Sequence, residues 1–196
     1  MSNIAVLVLA AGKSSRMKSI KQLAKIDDKT LLEITLEKAK KIAPNNAFCV
    51  LGANANKIKS QVNFNDIQII VNSNFEEGLS SSIIHGIQFL QKENLKFKSV
   101  FILLADQPGI HLSYLNEMIV LFKDNSTKII ASKYDKTYGV PALIPSLYFD
   151  DLLNIKGDKG AKVFLNKNSN SILSPKKNTN LFDIDTVEHL KLFTNG

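Results

Sequence analysis

The chain has 196 residues, 44% hydrophobic and 22% charged, an ordinary globular composition that excludes a wholly disordered chain. Its formal charge is +7, but Arg16 is the only arginine and the lysines are scattered (Lys38, Lys57, Lys92, Lys123, Lys167), whereas nucleic-acid modules concentrate theirs. The apolar run Ile4 to Ala11 is too short to cross a bilayer and lacks signal-peptide flanks, and the lone Cys49 excludes an internal disulfide and a Cys-based zinc site. The expectation is a cytoplasmic protein with no membrane or nucleic-acid partner, its positive field suited to a small anionic ligand.

The elements alternate along the chain. Ile4 to Ala10 reads as a fully buried strand, and residues 30–42 carry helical spacing. Ala47 to Leu51 is predicted as a second strand, Ala55 to Val62 as a short helix and Ile67 to Val71 as a third strand. Leu79, Ile83, Ile87 and Leu90 mark one face of a helix over 79–92. Ser99 to Leu104 is a fourth buried strand, Leu112 to Phe122 a helix and Thr127 to Ser132 a strand. Tyr138 to Ile144 is interrupted by Pro141, which predicts an edge strand or a bend. Short helices are expected at 146–153 and 159–166, a short strand at Ser171 to Leu173 and a closing helix at Thr186 to Leu192. The stretch 166–180, rich in Asn, Lys and Ser, reads as a surface loop. Continuous apolar strands alternating with helices predict an α/β fold: a largely parallel sheet covered on both faces. Ligands in such folds sit at the carboxyl ends of the strands.

After the first strand comes Ala10-Ala11-Gly12-Lys13-Ser14-Ser15-Arg16-Met17, then Lys21. Small residues let backbone approach a ligand, and Lys13, Arg16 and Lys21 add cations suited to phosphate. A P-loop would need Gly where Leu7 stands, and a dinucleotide fingerprint needs more glycines than Gly12. After the third strand, Asn72 is followed by Gly78-Leu79-Ser80-Ser81-Ser82, where hydroxyls and N–H groups at a helix start suit an anion or a base edge; simple capping is the plainer reading. After the fourth strand, Asp106-Gln107-Pro108 puts a carboxylate where a magnesium ion between phosphates would need one. Asp183 and Asp185, at i and i+2, offer a second metal ligand or a helix cap. Gly139-Val140-Pro141 and Gly157-Asp158-Lys159-Gly160 are turns that could meet a second substrate. His85, His111 and His189 show no metal-ligand spacing, and there is no G-x-S-x-G nucleophile elbow.

Together these segments resemble the MobA-like nucleotidyltransferase family, most closely its molybdenum cofactor cytidylyltransferase branch. The matching stretches are Leu9 to Met17 with Lys21-Gln22-Leu23, Asn72 to Ser82, Asp106-Gln107-Pro108, Gly139-Val140-Pro141, Gly157 to Lys162 and Asp183 to Thr186, in family order. The resemblance implies a single domain over 1–196 with a three-layer Rossmann-like nucleotidyltransferase fold and a mostly parallel mixed sheet. Residues 1–110 would bind nucleotide and 111–196 the acceptor. It implies CTP as nucleotide, Mg²⁺ as cofactor, molybdopterin as acceptor and a recipient molybdoenzyme as partner. Arg16, Lys21 and Asp106 would be catalytic, and Asp106 and Asp185 would hold the metal. Leu9, Ala10, Ala11, Gly12, Lys13, Ser14, Asn72, Gly78, Ser80, Ser81 and Ser82 would bind the nucleotide, with Ala11 selecting the cytidine type over the guanylyl Leu-Ala-Gly-Gly loop. Gly139, Pro141, Asp158 and Lys159 would meet the acceptor. Lys18 stands where the family usually has Gly. Transfer to another phosphorylated acceptor (methylerythritol phosphate or a sugar phosphate) and a non-catalytic, nucleotide-binding maturation factor are the alternatives.

Overall fold

The computed structural model describes residues 3–17 and 19–195; Lys18 lies outside the described residues. β1 (Ile4–Ala10) is buried at every position because it runs between two other strands and helices cover both of its faces. A 3-10 turn at Lys21–Leu23 and a small hairpin, β2 (Lys25–Ile26) and β3 (Lys29–Thr30), lead into α1 (Leu31–Ile42). Thr30 and Glu33 close a capping box that starts α1, so two backbone donors at its first turn are satisfied. β4 (Ala47–Leu51), α2 (Ala55–Lys59), β5 (Gln68–Val71) and α3 (Leu79–Lys92) follow, then β6 (Ser99–Leu104) and α4 (Leu112–Asp124). The C-terminal part contains β7 (Ile129–Tyr134), β8 (Thr137–Pro145), α5 (Phe149–Leu153), α6 (Lys162–Lys167), β9 (Ile172–Leu173) and α7 (Val187–Asn195). Boundaries differ from the sequence reading by a few residues: α2 stops at Lys59, α6 starts only at Lys162 and α7 runs on to Asn195.

One sheet has seven strands in the order β5-β4-β1-β6-β8-β7-β9. β1 pairs in parallel with both β4 and β6, whereas β8 runs antiparallel to both β6 and β7. Alternation along β1 divides the core. Val6, Val8 and Ala10 face α1 and α4 through Leu32, Leu36, Leu115 and Met118. Ala5, Leu7 and Leu9 face α3 and α6 through Ile83, Ile87, Phe164 and Leu165. This is the expected three-layer α/β arrangement. Gly86 lets α3 approach the sheet: a Cβ there would lie 2.6 Å from Leu7 Cδ1.

The expected edge strand at Tyr138 to Ile144 is instead internal, between β6 and β7. Pro141 is tolerated there because the ladder skips it: β6 pairs with β8 only from Ala142 onwards, and the β7–β8 register shifts between Ala131 and Ser132. The bend survives, with a cis Val140–Pro141 peptide. No helix among the described residues is long and apolar enough to cross a membrane.

The chain path places the site. From β1 it moves outwards to β4 and β5, then returns to β6 on the other side of β1. The crevice at the carboxyl ends of β1 and β6 lies at this reversal, where open α/β sheets bind ligands.

Candidate active site

The segment after β1 is shaped by Gln22, which is buried at 4% exposure. Its Nε2 donates to the carbonyls of Ala10 (2.8 Å) and Gly12 (3.0 Å), and its Oε1 accepts from Ser14 Oγ at 3.0 Å. Ser14 Oγ also accepts from the Lys21 N–H at 2.9 Å. These bonds fold the loop back so that Lys21 reaches the crevice. Lys21 Nζ lies 2.6 Å from Asp106 Oδ2 and 2.8 Å from Asp185 Oδ1. Arg16 closes the far side, 2.9 Å from Asp185 Oδ2. The Ile184 N–H donates to the Asp106 carbonyl at 2.9 Å, so backbone as well as charge holds the two acids together.

Burial works against the Lys21 ammonium, but the charge of Asp106 and hydrogen bonds to both carboxylates outweigh it, and its pKa is raised. Burial also works against the Asp185 carboxylate, and Lys21 and Arg16 reverse the effect, leaving its pKa lowered. Asp183 behaves oppositely: partial burial of its carboxyl and then the charge of Asp106 push its pKa up. Asp106 Oδ1 is buried with no hydrogen-bond partner among the described residues. Two adjacent carboxylates, one with a free oxygen, fit a hard divalent cation whose other ligands are water and phosphate. Among the described residues, no cluster of three or more His, Cys, Asp and Glu side chains could hold a metal unaided, so water and substrate phosphate would complete the shell.

Two cavities open here and share Leu9, Leu79 and Leu104. The smaller, about 120 Å³, is lined by Leu9, Ala10, Ala11, Gly12, Lys21 and Asp106 among others. Ala11 packs on Gly52: a Cβ at Gly52 would lie 2.5 Å from Phe75 Cβ and 2.9 Å from Ala11 Cβ. Lys13 reaches over the Phe75 ring and pairs with Glu76 at 2.6 Å, both side chains exposed. The larger cavity, about 240 Å³, takes Gly139 and Lys159 from the expected set and adds Gln107, Tyr134, Tyr138, Lys162 and Asp183.

Other expected residues lie elsewhere. Ser80, Ser81 and Ser82 line neither cavity and are buried. Their hydroxyls serve the protein's own groups. Asn72 Nδ2 donates to Ser81 Oγ (2.8 Å) and Ser82 Oγ (3.2 Å), Ser81 Oγ donates to the Gly78 carbonyl, and Ser80 Oγ approaches the Gly160 carbonyl at 3.5 Å. Asn72 itself is fully buried. Asp158 sits against Gly78, whose φ of +95° and lack of a side chain make room: a Cβ there would lie 2.4 Å from Asp158 Oδ1. Pro141 is buried within β8 and outside the cavity lining. Gly52 and Tyr134 carried no signal in sequence; each acts through neighbours far away along the chain.

The domain model of the MobA-like NTP transferases matches residues 6–172. The chain belongs to this family. It is similar to nicotine blue oxidoreductase of Paenarthrobacter nicotinovorans, 26% identical over 193 residues covering 94% of this chain and 93% of that protein. Among solved structures it is similar to the Rv0371c homologue from Mycobacterium sp. strain JC1, with a TM-score of 0.82 and 25% identity over 98% of this chain and 96% of that one. Rv0371c of Mycobacterium tuberculosis in complex with manganese gives a TM-score of 0.75 at 24% identity, covering 98% of both chains. The molybdopterin-guanine dinucleotide biosynthesis protein A of Archaeoglobus fulgidus gives 0.71 at 18%, covering 97% of both. These last two likenesses establish the shared fold.

Proposed function

We propose that this MobA-like nucleotidyltransferase moves CMP from CTP to the phosphate of molybdopterin, with Mg²⁺ as cofactor. The observation that carries the reading is the Asp106–Asp185 pair clasped by Lys21 and Arg16 beside the Ala10–Ser14 loop. An oxygen of the acceptor phosphate attacks the α-phosphorus of CTP. A new P–O bond forms, the bond to the β-phosphate oxygen breaks, and pyrophosphate leaves with that electron pair. No general base is needed, because a phosphate monoester, with a second pKa of about 6, is already ionised at neutral pH.

Both reactants are anions, so positioning and charge neutralisation supply most of the rate. Lys21, its pKa raised, stays protonated across the physiological range and offsets charge on the α-phosphate and leaving pyrophosphate. Arg16 offers a second, planar set of donors. Gly12, with nothing within 4 Å of where a Cβ would sit, leaves its backbone open to phosphate oxygens. Asp106 and Asp185 would hold the divalent ion, which supplies Lewis-acid charge neutralisation when bound. The manganese complex of a protein with the same fold supports a divalent ion here. CTP rests on the Leu9-Ala10-Ala11-Gly12 loop, where Ala11 packs tightly on Gly52. Molybdopterin rests on the family resemblance and on the adjoining cavity. A molybdoenzyme in the cytoplasm would then take the product.

Thermal unfolding with CTP, GTP, ATP and UTP, with and without Mg²⁺, tests the nucleotide. Ligands that bind only the folded state raise its melting temperature. The reading predicts a shift selective for Mg–CTP; a GTP-selective shift would remove Ala11 as the determinant. The likeness to nicotine blue oxidoreductase over nearly the full chain favours one other reading, an oxidoreductase reaction on an organic substrate in the larger cavity. NADH or NADPH consumption without pyrophosphate release would establish that reading instead.

A further inference from the structure

The larger cavity has a definite distribution of chemistry. Its walls include the apolar faces of Leu79, Leu104, Tyr138 and Val140. Its charged lining residues are two cations, Lys159 and Lys162, and one anion, Asp183. A ligand filling it therefore meets apolar surface, a positive group and a single carboxylate.

That carboxylate is held in place. Gln107, 2% exposed, donates from Nε2 to Asp183 Oδ1 and to the Tyr134 hydroxyl, both at 2.8 Å, and the Leu181 carbonyl shares one of these two hydrogens at 3.3 Å. The Tyr134 hydroxyl in turn donates to the Val140 carbonyl. This strut joins the ends of β6 and β7, the bend in β8 and the segment before α7. It occupies one oxygen of Asp183. Among the described residues Oδ2 has neither a hydrogen bond nor an ion pair. Asp183 as a whole is exposed, and a carboxylate with one oxygen fixed and one free is a directional acceptor for an N–H donor.

We propose that Asp183 is the specificity-determining residue for the acceptor: it reads an N–H edge of a planar heterocycle in this cavity, whose anionic arm is met by Lys159 and Lys162. The proposal rests on the nucleotidyl-transfer reading, which supplies both the heterocycle and the phosphate on its arm. Gln107 and Tyr134 are positioning residues acting through Asp183 and Val140.

The test uses two fluorescent probes that differ along one ring edge. Pterin-6-carboxylate presents an amino group, the donor Asp183 reads, beside a ring N–H; the lumazine analogue keeps that ring N–H but carries a carbonyl oxygen in place of the amino group, with the proton moved to the neighbouring ring nitrogen. Equilibrium binding should favour the pterin by ~10-fold or more in the wild-type protein, as expected for a hydrogen bond to a charged group. Asp183→Asn should collapse that ratio to ~2-fold or less. Lys162→Ala should weaken both probes equally and keep the ratio. Asp183→Ser is the second variant if Asp183→Asn does not fold. A purely structural role for Asp183 would lower both affinities without moving the ratio, and that result overturns the proposal. So does equal binding, or no binding, of both probes by the wild type. Thermal shifts with Mg–CTP on the same proteins report the nucleotide reading independently. Loss of the shift with the ratio intact would refute nucleotide binding and leave Asp183's role standing.

Discussion

Replacing Lys21 with Met keeps an unbranched apolar stem and removes the charge that sits between Asp106 and Asp185. The wild-type ammonium makes two charge-assisted hydrogen bonds, at 2.6 and 2.8 Å. Bonds to charged groups contribute about 1.5–3 kcal/mol each. The three side chains keep 17%, 19% and 21% of their exposure, so water screens part of this, and Arg16 still neutralises Asp185 in the variant. A net loss of about 2 kcal/mol at neutral pH follows, which for a chain of this size lowers the melting temperature by about 4–8 °C.

The pH dependence carries the sign. Lys21 has a raised pKa, so its contribution is full below its ordinary value of 10.5 and is lost as pH rises through the folded value. Asp185 has a lowered pKa, so its contribution is full above 3.8 and is lost as pH falls through the folded value. The gap between wild type and Lys21→Met should therefore be widest between these limits and close in acid, once the carboxylates protonate. Calorimetric melts at neutral pH and near pH 2 decide it. Melting temperatures within 1 °C of each other at neutral pH, or a gap of the same size near pH 2, would refute the assignment of the clasp as an electrostatic lock.

Asp106→Asn should cut pyrophosphate release at least ~100-fold while the circular dichroism spectrum is unchanged, because it removes charge from the crevice without changing shape. Gly52→Ala should destabilise by about 1–3 kcal/mol and weaken the Mg–CTP shift, since its Cβ would meet Phe75 at 2.5 Å and Ala11 at 2.9 Å; denaturant melts and thermal shifts read both effects. Lys38 is depressed to about 8 by burial, and its ammonium donates to the Pro108 carbonyl. A lysine with a lowered folded pKa penalises folding while protonated, so wild-type stability should gain on Lys38→Met as pH rises from 8 towards 10. A gap between the two proteins that stays flat over that range would show that Lys38 titrates normally.

What could be read from the chain follows from distance in sequence. Buried strands such as β1 and β6 are continuous apolar runs, so the ends that carry Gly12 and Asp106 were visible directly. Arg16 and Lys21 stood out because charge follows a fully apolar strand. The Gln107–Tyr134 contact spans 27 residues and depends on β8 running antiparallel between β6 and β7, which the break at Pro141 concealed. Ser80, Ser81 and Ser82 looked like ligand donors because hydroxyls at a helix start serve either ligand or protein. Asn72 and Gly78 take two of them, and only tertiary structure reveals that.

Transfer of a nucleotidyl group to an acceptor phosphate can be followed atom by atom. Incubating the protein and Mg²⁺ with α-³²P-labelled CTP and molybdopterin reports both the label and the pyrophosphate. One pyrophosphate should be released for each labelled CMP joined to the acceptor, with labelled GTP a poor substitute. No label on the acceptor and no pyrophosphate from any of the four nucleotides would contradict that transfer.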